Sequence, residues 1–153
     1  MCHNTVTKGN NKLKNSSNKI SYSIVDGADK IDISEVMALL AQTYWADKRS
    51  LETVKHSMEH SRCYGVYLTD DHKLVGFARV ISDFATTYYL CDVVIDEAHR
   101  GKGLGEALVS YIENLDEYKG LRGVLITRDA HSLYEKFGYK TLNDRAMVKG
   151  LNC

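Results

Sequence analysis

Near the middle of the chain, six residues form a glycine-rich segment, Arg100-Gly101-Lys102-Gly103-Leu104-Gly105. Residues 88–95 precede it and are rich in the β-branched and aromatic residues that strands favour. After it, apolar residues recur at helical spacing: Leu104, Ala107, Leu108, Tyr111, Ile112 and Leu115. The glycines therefore lie at a strand-to-helix turn. Such a turn suits a phosphate group, because a ligand can approach the backbone and the first helical amides point at it.

Three kinds of glycine loop bind phosphates, and the flanking residues distinguish them. A P-loop needs Ser or Thr after its Gly-Lys pair so that the hydroxyl reaches magnesium, but Gly103 follows Lys102 here. A dinucleotide-binding loop lies early in a βαβ unit and needs a third glycine where this chain has Glu106. Arg100-x-x-Gly103-x-Gly105 instead matches the (Arg/Gln)-x-x-Gly-x-(Gly/Ala) signature of the GNAT superfamily of N-acetyltransferases.

A second segment strengthens this resemblance. Residues 130–139, Ala-His-Ser-Leu-Tyr-Glu-Lys-Phe-Gly-Tyr, look like the family's Ala-x-x-Leu-Tyr-x-x-x-Gly-(Phe/Tyr) segment and follow a strand-like run, residues 123–127. The resemblance extends over about residues 20–149. It implies the GNAT fold, an α/β (α+β) single domain with a mixed central β-sheet flanked by helices.

The resemblance also implies acetyl-coenzyme A (acetyl-CoA) as cosubstrate, without a metal. In this family, backbone amides of the glycine loop hold the pyrophosphate, and two neighbouring strands splay to admit the pantetheine arm. The coenzyme contacts carried over to this chain are Val93, Val94, Ile95, Arg100, Gly101, Lys102, Gly103, Leu104, Gly105 and Thr127. Thr127 departs from the family pattern, which often has Asn at this place.

Acetyl transfer to an amine poses two proton problems. The amine, with an ordinary pKa near 10.4, must lose a proton, and the departing thiol, with a pKa of about 8.5, must gain one. Tyr134 matches the family's tyrosine and is predicted to be the general acid. Asp92 is predicted to be the base, because a carboxylate inside an apolar strand should have a raised pKa. A hydrogen-bonded structural role for Asp92, or a proton relay through water, is the alternative.

In this family the two helices after the first strand form one wall of the acceptor site, and residues 44–49 are their junction here. The predicted acceptor-binding residues are Tyr44, Trp45, Arg49, Asp83 and Tyr89. Aromatic rings suit an apolar or cationic group, Arg49 suits a carboxylate or phosphate, and Asp83 suits an ammonium group. The alternative is structural: Tyr44 completes the buried face of a helix, and Arg49 lies in solvent.

The rest of the pattern supplies the elements that position these residues. Strands are predicted over residues 20–25, 63–68, 74–81, 88–95 and 123–127, with a closing pair over 139–142 and 146–149. Residues 130–137 are predicted to form a short helix that Gly138 ends.

Two further helices are predicted before the second strand. Asp32 and Glu35 resemble a capping box that opens the first, and Ser50 is the N-cap of the second. The residues predicted to point inward are Ile33, Val36, Met37, Leu40 and Tyr44 in the first helix and Leu51, Val54 and Met58 in the second.

Composition limits the class of protein. The chain of 153 residues is predicted to form one domain over residues 20–153, after a polar tail, residues 1–19, that we expect to be disordered. Its 20 basic and 20 acidic residues balance, which argues against a nucleic-acid binder. No apolar stretch approaches membrane-spanning length. Four cysteines without CxxC pairing predict neither a zinc site nor a disulfide framework, which is typical of the reduced cytoplasm.

We therefore predict an enzyme that moves the acetyl group of acetyl-CoA to a primary amine of a small molecule, by direct attack in a ternary complex. A peptide or protein amine is the alternative acceptor. A non-catalytic acyl-CoA-binding sensor or scaffold is the alternative from another class. No nucleic-acid or membrane partner is expected. Members of the family are often homodimers, and the residues identify no interface here.

Overall fold

Residues 20–150 are described by the computed structural model, and they form a five-stranded sheet with helices on both faces. The strands are β1 (Tyr22–Asp26), β2 (Arg62–Leu68), β3 (Leu74–Ser82), β4 (Thr87–Ile95) and β5 (Arg122–Val124). They lie side by side in chain order; β1 to β4 are antiparallel neighbours, and β5 is parallel to β4. The helices are α1 (Ile33–Leu40), α2 (Leu51–Glu59), α3 (Leu104–Glu113) and α4 (His131–Glu135). This mixed sheet confirms the predicted fold class, whereas the predicted tail, residues 1–19, lies outside the described residues.

Polar side chains fix the starts of α1 and α2. Asp32 Oδ1 accepts hydrogen bonds from the Ser34 and Glu35 amides at 2.7 and 3.2 Å. Ser50 Oγ accepts one from the Thr53 amide at 3.2 Å. Both predicted N-caps are therefore confirmed, but the capping box is incomplete. Glu35 Oε1 accepts from the Leu74 amide at 3.0 Å instead of reaching back to Asp32, and it thereby joins α1 to β3.

Two apolar cores lie on opposite faces of the sheet. One packs α1 and α2 against the sheet through residues that include Val36, Leu39, Val54, Phe77 and Val94. The other packs α3 and α4 against the opposite face through residues that include Val80, Leu90, Leu108, Ile112 and Tyr134. The sheet is thus the middle of three layers. Within residues 20–150, no helix combines the length and the apolar character needed to cross a bilayer.

Two residues predicted to point inward lie on the surface. Helix α1 ends at Leu40, so Tyr44 falls in the connection to α2 and is 50% exposed. Leu51 is the first residue of α2 and is 55% exposed, because this helix meets the core only one turn later, at Val54.

The end of the chain also departs from the prediction. Strand β5 has three residues rather than the five predicted, and the described part of the chain has no strand after it. The predicted strands over 139–142 and 146–149 are therefore wrong. Leu142, Met147 and Val148 are 62%, 99% and 64% exposed, so their alternating pattern has no core surface to pack against.

Candidate active site

The glycine loop connects the end of β4 to the start of α3. A short 3-10 turn, Glu97–His99, precedes it. Gly101 and Gly103 have φ angles of 72° and 81°, in the left-handed region that glycine enters without steric cost. A Cβ atom on either residue would meet no atom within 4 Å. Backbone conformation, and not crowding, therefore requires glycine here, and the loop faces open space.

The amides at the start of α3 are suited to bind an anion. Gly103 is the N-cap of α3, and no side chain of the described residues caps it. The first amides of an α-helix have no acceptor within the helix, and the positive end of the helix dipole lies there. Two cations flank the loop: Arg100 Nε donates to the Ile95 carbonyl at 3.0 Å, and Lys102 Nζ donates to the Ala98 carbonyl at 2.9 Å. This arrangement fits a pyrophosphate.

Strands β4 and β5 pair over three positions only. Thr87, Tyr88 and Tyr89 lie opposite Arg122, Gly123 and Val124, and β4 then continues to Ile95 without β5 beside it. The two strands therefore separate toward the glycine loop. Val93, Val94 and Ile95, the predicted contacts of the pantetheine arm, all lie on this stretch of β4, which has β3 on one side and no β5 on the other.

A β-bulge at Asp92 changes the direction of the side chains along β4. Arg79 is opposite Cys91 and Phe77 is opposite Val94, so two residues of β4, Asp92 and Val93, share one position of β3. Asp92 has a φ of 53°, an uncommon value outside glycine that Asp tolerates better than most residues. The bulge directs the Asp92 side chain toward the layer of α1 and α2.

Asp92 belongs to a buried cluster of charges. Its Oδ2 accepts hydrogen bonds from Arg79 Nε and from Arg49 Nη1, each at 2.7 Å. Arg79 Nη1 also donates to the Ser57 carbonyl at 3.4 Å and to Ser61 Oγ at 3.3 Å. Burial alone would lower the pKa of Arg79, but the charge and hydrogen bond of Asp92, together with smaller contributions from Cys91 and Cys63, outweigh it and raise the pKa. These contacts describe a structural carboxylate; a base at Asp92 would have to use Oδ1, and this role stays a prediction.

Tyr134 lies on α4, which packs beside the glycine loop. A Cβ on Gly105 would be 3.6 Å from Ile95 Cγ1 and 4.0 Å from Leu133 Cδ2, so α4, β4 and α3 meet there. The Tyr134 side chain is buried, and this burial, aided by the charge of Asp129, raises its pKa to about 12. No group of residues 20–150 hydrogen-bonds its hydroxyl, which is not sealed from solvent. Thr127 Oγ1 accepts from the Ala130 amide at 3.0 Å and fixes the approach to α4.

Two of the predicted acceptor residues, Tyr44 and Trp45, contact each other at the surface, and Tyr44 also contacts an arginine. The rings of Tyr44 and Trp45 are edge to face, with centroids 4.9 Å apart, and the Arg128 guanidinium lies 3.7 Å over the Tyr44 ring. This contact joins the α1–α2 connection to the segment between β5 and α4. Arg49 leaves the same connection to bind Asp92, and Tyr89 is half-buried where β4 pairs with β5.

Asp83 is not brought to this site. It lies in the β3–β4 turn, at the opposite end of β4 from the glycine loop, about 25 Å along the strand. Its Oδ2 accepts from the Thr86 hydroxyl at 2.6 Å, and its Oδ1 accepts from the amides of Ala85, Thr86 and Thr87. These bonds, that of the Thr86 hydroxyl first, lower the pKa of Asp83. The Asp83 carboxylate therefore caps the turn, and this structural role explains the residue without a bound substrate.

Two arginines of this region were not among the site residues predicted from the sequence. Arg79 stands inside the apolar run of β3, as Asp92 does inside β4, and two opposite charges in neighbouring apolar strands are a signal for a buried ion pair. Arg128 gave no such signal, because its partner Tyr44 is distant in sequence and belongs to an irregular connection.

A family model described as an acetyltransferase (GNAT) domain matches residues 60–141. The fold and the glycine loop agree with this match, and the chain belongs to the GNAT family. A crystal structure of a GNAT-family acetyltransferase from Xanthomonas campestris has 34% sequence identity and a TM-score of 0.78, and the alignment covers 85% of this chain and 93% of that one.

Two sequence relatives carry related descriptions. An uncharacterised N-acetyltransferase of Prochlorococcus marinus is 31% identical over 114 residues, which are 71% of this chain and 63% of that protein. A histone acetyltransferase of Glycine max is 22% identical over 144 residues, which are 86% of this chain and 61% of that protein. The chain thus matches less than two thirds of the length of either relative.

Proposed function

We propose that the protein is an N-acetyltransferase that transfers the acetyl group of acetyl-CoA to a primary amine of a small molecule, by direct attack within a ternary complex. One observation carries the proposal: the open glycine loop, the gap between β4 and β5, and the unbonded hydroxyl of Tyr134 lie at the same end of the sheet. Membership of the GNAT family makes acetyl-CoA the donor expected to fit these three parts.

The coenzyme would be held mainly by backbone groups. The amides of residues 101–105 bind the pyrophosphate, and Arg100 and Lys102 add positive charge beside it. The unpaired edge of residues 93–95 offers hydrogen bonds to the pantetheine arm and to the thioester carbonyl. Thr127 Oγ1 accepts a bond from Ala130, and its own proton remains free to donate to the arm.

The reaction needs a hydrogen-bond donor to the leaving sulfur and an acceptor for the proton that the amine loses. The amine nitrogen attacks the carbonyl carbon; a C–N bond forms, the C–S bond breaks, and the thiolate leaves. The Tyr134 hydroxyl stabilises that sulfur as a hydrogen-bond donor, because a pKa of about 12 keeps it protonated near neutral pH. The proton that the amine loses passes to water or to Asp92 Oδ1, the oxygen that the two arginines leave unbonded.

The surroundings of Tyr44 support a small acceptor with an acidic group. Two aromatic rings and Arg128 form this surface, and Arg49 enters from the same connection. Guanidinium groups favour a carboxylate or phosphate on the acceptor. The histone acetyltransferase of Glycine max favours a protein lysine instead, as the second candidate. We also propose that the protein forms a homodimer and that it is located in the cytoplasm, where free thiols such as those of Cys63 and Cys91 stay reduced.

The proposal is tested by measuring thiol release from acetyl-CoA over a panel of amines, with mass spectrometry of the products. The panel includes amino acids, polyamines, aminoglycosides, arylalkylamines, sugar amines and lysine peptides. One acetyl group gained by a small amine supports the proposal. Acetylation of peptides alone selects the second candidate. Coenzyme binding without turnover on any amine selects the non-catalytic module.

A matched pair of glycine substitutions tests the coenzyme site separately. Gly103→Asp places a negative charge beside the expected pyrophosphate. Gly120→Asp is the control, because Gly120 has a similar φ of 77° and equal open space, but it lies near the start of β5, at the other end of the sheet. We expect only Gly103→Asp to abolish acetyl-CoA binding in calorimetry. Retained binding in that variant, or equal loss in both, contradicts the site.

A further inference from the structure

Helix α2 and its C-cap residue carry three side chains able to bind a metal on one exposed face. His56, Glu59 and His60 are spaced i, i+3 and i+4, which places them next to one another on a helix surface. The opposite face of α2 holds Val54 and Met58 in the core, so the helix presents this cluster on a fixed support. None of the three belongs to the candidate active site.

The distances within the cluster are close to those of a metal site. Candidate ligand atoms of the three residues all lie within 4.8 Å of one another. The two imidazole centroids are 4.3 Å apart, and His56 Nδ1 is 3.9 Å from Glu59 Oε2. Tetrahedral zinc, with bonds of about 2.0–2.1 Å, needs ligand atoms about 3.4 Å apart. All three side chains are exposed, so small torsional changes close this difference without a backbone movement.

The hydrogen bond of His60 leaves the correct ring nitrogen for a metal. His60 Nδ1 lies 2.9 Å from the His56 carbonyl oxygen. A carbonyl only accepts, so Nδ1 carries the hydrogen and Nε2 presents its lone pair outward. A backbone carbonyl that fixes a histidine in this way is a common feature of protein metal sites.

We propose that His56, Glu59 and His60 form a binding site for a divalent transition-metal ion of the zinc class. Two imidazoles and one carboxylate are a ligand set that zinc prefers, with water at the fourth position. Calcium and magnesium prefer oxygen ligands, so the two nitrogen donors disfavour them. The same His-x-x-Glu-His spacing on a helix holds zinc through its two histidines in one class of metallopeptidases.

Zinc at this site would cross-link side chains of the last turn of α2 and so stabilise that turn. His60 is the C-cap residue of the helix, and Ser57 in the same turn accepts a hydrogen bond from Arg79. Binding to the folded state therefore stabilises the junction of α2 with β2, and it raises Tm as the zinc concentration increases. The proposal does not depend on acetyl transfer, since it uses no residue of the glycine loop or of α4.

The test is a calorimetric titration of the full chain with zinc chloride. Cys2 and His3, which lie outside the described residues, are of residue types that bind zinc, so the titration is made in a Cys2→Ser/His3→Ala background as well as in the wild type. We expect one zinc ion per chain in that background and a zinc-dependent rise in Tm. His56→Gln should lower the affinity about 10-fold or more, since even the loss of a second-shell partner costs this much.

Two further variants keep the result interpretable. Glu59→Gln leaves both imidazoles and the helix end in place, and it should also weaken zinc binding. His72→Asn is the matched control: His72 is an exposed histidine in the β2–β3 turn with a φ of 55°, which Asn tolerates, and its loss should leave the affinity unchanged. Absence of zinc binding in the background protein overturns the proposal, as do equal affinities for it, His56→Gln and Glu59→Gln.

Discussion

Replacing Tyr134 by Phe removes one hydroxyl and no described protein hydrogen bond. The ring keeps its edge-to-face contact with Tyr139, at a centroid distance of 6.0 Å, so we expect the free energy of unfolding to change by less than about 0.5 kcal/mol. The acetyl-CoA affinity should likewise change by less than about two-fold. In contrast, kcat should fall by about 100-fold to 1000-fold, the usual loss when one preorganised donor to a developing negative charge is removed.

The pKa of Tyr134 indicates whether this residue transfers its proton to the sulfur or only donates a hydrogen bond to it. Burial raises it to about 12, whereas the thiol of the leaving coenzyme has a pKa of about 8.5. Complete proton transfer from Tyr134 to the thiolate is therefore energetically uphill, because the pKa of Tyr134 lies well above that of the thiol. We therefore expect Tyr134 to donate a hydrogen bond to the sulfur, and water to supply the proton afterwards. Because a pKa of about 12 keeps this tyrosine protonated, it should cause no alkaline decline of kcat below about pH 10.

The assay is steady-state kinetics with the best amine of the panel, from about pH 6 to about pH 10, together with calorimetric binding of acetyl-CoA. Tyr111→Phe is the control, because Tyr111 is another partly buried tyrosine, on α3, whose hydroxyl has no hydrogen bond within residues 20–150. A kcat for Tyr134→Phe within about two-fold of that control refutes the donor role. An alkaline limb near pH 10 that is present in the wild type and lost in Tyr134→Phe refutes the pKa argument.

Three further predictions concern stability. Asp92→Ala leaves Arg79 buried without its carboxylate and should lower the free energy of unfolding in urea by about 3–5 kcal/mol. Arg49→Ala should lower it by less, because Arg49 is half-exposed; equal losses contradict this ranking. Asp32→Ala removes the N-cap of α1 and should cost about 1 kcal/mol, with the exposed Asp47→Ala as a near-neutral control in the same titration. Burial would raise the pKa of Asp96, but bonds from His99, the Ala98 amide and Lys73 outweigh it and lower the pKa. A lowered pKa means that stability is present above the unfolded-state value near 3.9 and is lost below it, so the Tm difference between the wild type and Asp96→Asn should close on acidification below about pH 4; a constant difference contradicts the argument.

Local signals were sufficient for the glycine loop and the elements beside it. The glycines of the loop mark a turn because left-handed φ angles are needed there, and Asp32 and Ser50 mark helix starts because their side chains bond nearby amides. Each of these interactions spans a few residues, so the sequence contains both partners in one window. The predicted roles of Tyr134 and the loop residues in catalysis and binding stay predictions.

Interactions between distant residues were not visible in the same way. Asp92 stood out as a carboxylate in an apolar strand, but the bulge that turns it toward Arg49 and Arg79 depends on the register of β4 against β3. The alternating pattern of residues 139–149 predicted strands because it carries no information about whether a partner strand is within reach. Asp83 was assigned to an ammonium group, although the turn signal beside it already indicated a capping role.

The short junction of β4 and β5 has a consequence for hydrogen exchange. Only three residue pairs join β5 to the sheet, and the segment that follows is held largely by side chains, such as Tyr139 on Glu113 at 2.8 Å and Lys136 on Glu106 at 2.5 Å. A segment with few backbone bonds to its neighbours opens at a low free energy while the rest of the molecule stays folded. Tyr134 is carried by that segment, and a coenzyme seated between it and β4 would fasten it to the sheet. Slower amide exchange over residues 122–139 would then report coenzyme binding without any acceptor, and it would measure how firmly Tyr134 is held in place.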